Sequence, residues 1–224
     1  MMFKPTVIAA AAAAALLAGC GNTPPAPDWQ LTAQSSVERF TNAYLTGNSR
    51  VEDADFRRAR DALASTGQTT MVLRAELTRC ATRVAALVFE DCAGFEQLAQ
   101  DASPADRAYA AYLAGRATAA DAALLPEQHR AAASATSDTA AAAAVQAIAD
   151  PLSKLVASGV LMRAGKATPQ TLADAVDIAS NQGWRRPLMA WLGVQVMRAQ
   201  QAGDTTEAQR LQRRIDLAAG LPKS

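Results

Sequence analysis

Little in this chain suits a β-strand. Aromatic residues make up 5% of it, and no stretch alternates apolar and polar residues convincingly. Both facts argue against β-sheet, which draws on aromatic and β-branched side chains. Histidine occurs once, at His129. A single imidazole leaves zinc sites and Ser-His-Asp or Cys-His arrangements without their usual partners. No HExxH, GxSxG, Walker loop or GxGxxG is present. The expected inventory therefore holds no catalytic residue, no metal ligand and no small-molecule cofactor. His129 lies in a weakly patterned stretch and reads as an exposed, incidental residue.

Charge of one sign is lacking as well. The chain carries 22 Lys and Arg against 21 Asp and Glu, so nothing points to nucleic acid or to an acidic cation buffer. Glu38, Glu76, Glu90 and Glu96 are the carboxylates a glycan-cleaving pair would draw on. Nothing in their spacing selects two of them, and the Glu-Ser start of helical muramidases is absent. A bilayer-spanning run is missing too. The longest apolar stretch, Thr6 to Ala18, has roughly 13 residues where ~20 are needed.

That short run has another meaning. Lys4 precedes it as the only charge, seven consecutive alanines fill it, and Leu17-Ala18-Gly19-Cys20 follows. A positive n-region, an apolar h-region and small residues at the end define a signal peptide. The last four residues resemble the lipobox of bacterial lipoproteins. The resemblance implies cleavage before Cys20, a diacylglycerol on its sulfur, and a fatty acyl group such as palmitate on the new N-terminus. Several chains hold a protein where one holds it only marginally. Gly21-Asn22 lacks the Asp that resembles an inner-membrane retention signal, which implies the periplasmic face of the outer membrane. Surface exposure is the alternative. The division expected is 1–19 signal peptide, 20–33 lipidated cysteine and proline-rich tether, and 34–224 helical domain. The prolines of the tether are Pro24, Pro25 and Pro27.

With Cys20 assigned to lipid, Cys80 and Cys92 remain. An even pair in an oxidising compartment is expected to bridge, which on the chain-entropy model contributes roughly 2–3 kcal/mol. An unbroken helix would hold them ~18 Å apart. Glu90-Asp91-Cys92-Ala93-Gly94 looks like a break that lets the chain fold back. Cys80 also lies on a stripe with Leu73, Leu77, Val84 and Leu87, where a buried free thiol would be the alternative.

Alanine is abundant and helix signals recur along the chain. Val37, Phe40 and Tyr44 share a face that ends at Gly47. Phe56, Ala59 and Leu63 share the next, ending at Gly67. A third helix is expected over 70–89. Ser103-Pro104, Asp150-Pro151 and Thr168-Pro169 have the capping residue and first-turn proline of helix starts. Asp204 with Glu207 resembles a capping box. Trp184 and Trp191 fall on a core face. Residues 117–149 are expected in at least two pieces, broken at Pro126. Arg210, Arg213 and Arg214 face outward on the last helix, as a solvated face or a partner-binding patch.

Two short echoes suggest repetition. Ala43-Tyr44-Leu45-Thr46-Gly47 returns as Ala111-Tyr112-Leu113-Ala114-Gly115, and Met162-Arg163-Ala164 returns as Met197-Arg198-Ala199. Together with the Gly203-Asp204 turn they loosely resemble tetratricopeptide repeats. The expected fold is all-α, either an array of antiparallel hairpins of that kind or an irregular helical bundle. The expected function is a membrane-anchored periplasmic lipoprotein with a scaffold domain that binds another envelope protein. The alternatives are a peptidoglycan-acting enzyme or enzyme subunit, and a structural spacer.

Overall fold

The computed structural model describes residues 25–220. Among them the secondary structure is helical, with no strand. In chain order the α-helices are α1 (Asp28–Leu45), α2 (Ser49–Ala64), α3 (Thr69–Ala85), α4 (Ala93–Glu96), α5 (Pro104–Leu113), α6 (Ala119–Ala122), α7 (Glu127–Ala133), α8 (Asp138–Gln146), α9 (Pro151–Arg163), α10 (Pro169–Asn181), α11 (Arg185–Gln201) and α12 (Thr205–Ala219). A 3₁₀ turn at Ala99–Asp101 joins α4 to α5.

The helix starts follow local chemistry. Side-chain oxygens of Asn48, Ser103, Thr118, Ser137, Asp150, Thr168 and Asp204 each accept a first-turn amide, satisfying a donor the helix itself leaves orphaned. α1 begins earlier than the expected boundary at residue 34. Pro27 is the last proline before it, and its carbonyl accepts the amides of Gln30 and Leu31. The helix therefore takes over the end of the segment read as tether.

The first sequence echo is a helix ending. At Gly47 and at Gly115 the backbone turns left-handed, and the next amide reaches back to Ala43 and Ala111 respectively. This is the Schellman bond pattern, which needs a residue tolerant of positive φ. The second echo has no such counterpart. Met162 lies one turn before its helix-ending glycine, Gly165, whereas Met197 lies nearly two turns before Gly203.

The core centres on α3 and α9. Leu73, Leu77, Val84 and Ala85 meet Leu155, Val156 and Val160, all buried. A small residue makes this contact possible. A Cβ on Gly159 would strike the Val84 carbonyl oxygen. Trp191 of α11 is fully buried and donates its indole N–H to the Ala85 carbonyl at 3.0 Å. Helices α9 to α12 then pack each against the next, as in a hairpin array. The first half adds contacts between helices remote in sequence to that rule. α1 and α2 form a hairpin around Phe40 and Phe56, in edge-to-face contact at 5.3 Å, and α1 also returns to α11.

Charged side chains line the α1–α3 seams. Glu52, nearly buried, accepts from Arg79 at 2.8 Å and Arg83 at 3.2 Å. Asp55 binds Arg39 and Glu76 binds Arg60, and between α3 and α5 Asp106 binds Arg74. Arg79 also stacks on Phe56, and Arg83 and Arg186 lie over Tyr44. Buried carboxylates need such partners, because an unpaired one would be costly.

Candidate functional site

Cys80 and Cys92 are joined by a disulfide, with Cα atoms 5.9 Å apart. α3 ends at Ala85, one turn short of the expected 70–89 helix. The reason is conformational. Leu87 adopts φ 59°, and Val88 donates to the Arg83 carbonyl. This is the same ending as at Gly47, but with a leucine in the left-handed position. Leu87 is the one non-glycine residue with positive φ among the described residues. A side chain there costs on the order of 1 kcal/mol.

Past that turn, residues 86–92 form a strap running back to Cys92. Val88 and Phe89 are exposed on it, two of the larger apolar side chains left in solvent. Two side-chain contacts hold it besides the bridge and the backbone bonds of Leu87 and Val88. Arg83 pairs with Glu90 at 2.6 Å, and Arg163 stacks on the Phe89 ring at 5.5 Å. Arg163 also donates to the Leu113 carbonyl at the end of α5. Under the strap lies a cleft of about 250 Å³. The disulfide, Val84, Leu113 and Phe95 contribute apolar lining, and Arg83, Arg107, Arg116 and Arg163 basic lining. Glu90, Asp91 and Glu96 add carboxylates to it. The arrangement suits a segment that offers both apolar and polar groups. Among the described residues no group of three or more His, Cys, Asp or Glu side chains could hold a metal ion.

The arginines singled out on α12 divide. Arg210 grips Glu207, one turn earlier, through two hydrogen bonds of 2.6 and 2.7 Å. Arg210 and Arg214 face an open groove between α10, α11 and α12, together with Arg198 from α11. Arg213 is exposed and lies outside that groove. Of the four candidate carboxylates, Glu76 and Glu90 are each held by an arginine. Glu38 accepts from Gln34 on the surface, and Glu96 lines the cleft. Cys20 and the rest of the lipobox lie outside the described residues.

His129 departs from its expected place. It is buried, 1% exposed, not incidental. Its Nδ1 shares a hydrogen bond with the Tyr112 hydroxyl at 3.3 Å, and Tyr109, stacked on Tyr112, lies 5.9 Å away between ring centres. Burial pushes its pKa down to about 4, against a smaller opposing pull from Asp150. The same burial raises both tyrosine hydroxyls. Sequence patterning missed this because α7 is only seven residues long, too short to show a periodic face. Both neighbours of the ring come from α5. The strap was partly visible, as the break at 90–94, but the basic lining beneath it was not. Arg163 comes from α9, remote in sequence, and no local signal announces it. No family model matches this sequence, and neither a curated protein nor a solved structure matches it.

Proposed function

We propose that this chain is a lipid-anchored lipoprotein on the periplasmic face of the outer membrane. Its helical bundle docks another envelope protein in the cleft beneath the strap, without catalysis. The observation that carries the docking reading is the cleft itself. Val88 and Phe89 are exposed at its edge, beside Arg163 and close to Arg107 and Arg116. Aromatic and arginine side chains of this kind are the usual anchors of protein interfaces. An amphipathic helix or a peptide with an acidic position fits the groove-binding mode. A spacer would have no use for such an edge. Of the glutamates a glycan-cleaving pair would draw on, Glu76 and Glu90 are tied up by arginines, which leaves Glu96, with Asp91, as the carboxylates the cleft would offer that alternative.

The anchoring reading rests on Leu17-Ala18-Gly19-Cys20, and the Cys80–Cys92 bridge fits an oxidising compartment. Among the described residues no helix is long and apolar enough to cross a membrane, so attachment is assigned to the lipid on Cys20. One in vivo experiment tests both halves. A photo-crosslinking amino acid replaces Val88, with Gln209 on α12 as the control position, in the native chain and in Cys20→Ser. The position-88 probe is expected to capture one envelope protein that the control does not. Arg163→Glu should abolish that capture, and Cys20→Ser should release the chain from membranes. Retention of Cys20→Ser on membranes would refute the anchor. Equal capture from both positions would refute the cleft.

A further inference from the structure

We propose that the Cys80–Cys92 bridge is a redox latch on this cleft, opened by a dithiol reductant to free the strap 86–92 and uncover the floor beneath it. Three observations converge on the strap. Both cysteines are only partly buried and both line the cleft, so an incoming thiolate has a path to the sulfurs. The strap begins at Leu87, whose left-handed backbone a leucine adopts reluctantly. The remaining side-chain holds are modest. Arg83 is mostly buried, but Glu90 is 56% exposed in their ion pair, and a pair open to water on one side contributes little. Phe89 is itself exposed under Arg163.

The chemistry is ordinary thiol–disulfide exchange. One thiolate of the dithiol attacks a sulfur of the bridge. A mixed disulfide forms, and the other cysteine leaves as a thiolate that takes up a proton. The second thiol of the reagent then attacks the mixed disulfide, releasing the second cysteine and closing the reagent into a ring. The protein gains two electrons and two protons, and the dithiol loses them. Movement stays local because both flanks are anchored: Ala85 and Phe95 are buried.

That the latch governs docking rests on the cleft being the docking site. The opening itself is measured without a partner. Hydrogen exchange on the mature chain, oxidised and after dithiothreitol, reads it directly. The amides of Ala86, Leu87 and Val88, bonded back to Arg83 and Val84, are expected to exchange roughly tenfold faster or more once the bridge is open, with α9 to α11 unchanged. The Cys80→Ala/Cys92→Ala double variant is expected to show the same loosened strap with no reductant present. The latch is refuted if the strap exchanges alike before and after reduction, or if the folded chain resists dithiothreitol. A rise across the whole molecule also refutes it, since the bridge would then be a staple of the fold. A flat result sinks the latch and leaves the docking cleft standing, while a failed crosslink at position 88 does the reverse.

Discussion

His129 sits where a positive charge is expensive. It is enclosed by Tyr109 and Tyr112, and burial holds its pKa near 4 in the folded chain. In the unfolded chain it titrates near 6.5. Between those values the unfolded state takes up a proton that the folded state refuses. Stability from this residue is therefore complete above about pH 6.5 and is lost as pH falls toward 4. The shift corresponds to roughly 3 kcal/mol. Urea denaturation at pH 7 and pH 4 checks this against His129→Leu. The native chain should lose about 3 kcal/mol more than the variant across that interval. Equal losses would mean that the imidazole is hydrated or already protonated. The comparison is between slopes, so the unpaired Tyr112 hydroxyl of the variant cancels.

At the scale of the helix, two glycines make opposite predictions. Alanine is normally favoured over glycine inside a helix by about 1 kcal/mol. Gly193 on α11 has no atom within 4 Å of where a Cβ would stand, so Gly193→Ala is expected to stabilise the chain by ~0.5–1 kcal/mol. Gly159 on α9 faces the Val84 backbone. A carbonyl cannot swing aside as a side-chain tip can, so α3 and α9 must part. Overpacking of this kind costs roughly 1–3 kcal/mol, which outweighs the helical gain. A pair of urea midpoints settles the matter, one expected to rise and the other to fall. If Gly159→Ala were neutral, the close crossing of α3 and α9 would be wrong. Nothing in the sequence near Gly159 announces that crossing. The glycine reads as a weak spot in a helix until Val84 is seen opposite. The expected end of α3 failed for a related reason. Trp191, more than a hundred positions away, takes the Ala85 carbonyl, and Leu87 turns the chain where helix propensity alone would carry it on.

Across the molecule, closure between the first and eleventh helices separates a bundle from an open array. Arg186 makes that closure. Its Nε donates to the Tyr44 carbonyl at 2.9 Å, its Nη2 donates to the Ser49 hydroxyl, and the guanidinium covers the Tyr44 ring. Arg185 adds one bond to the Thr46 carbonyl from a more exposed position. Arg186→Ala is expected to cost roughly 1–3 kcal/mol. The loss should fall unevenly. Hydrogen exchange should rise in α1 and α2 while α9 to α11 stay protected, because those helices keep their own hairpin contacts. Uniform loosening would show that the closure stabilises the whole fold as one unit.

By itself the sequence determined the all-helical class, several helix starts and the pairing of Cys80 with Cys92. These depend on short-range chemistry. A Ser, Asp or Thr before a proline satisfies orphan amides whatever lies elsewhere, and two cysteines flanking a broken helix end meet once the chain turns back. Tertiary structure decided the rest. It buried His129 under two tyrosines, stopped α3 at Ala85, paired α3 with α9 through Gly159, and brought Arg163 over Phe89 to make a cleft. Each of these joins residues far apart in the chain. Long-range contacts follow from the shape of facing surfaces, and the alanine-rich stretches give too little contrast between faces for that shape to be read in advance.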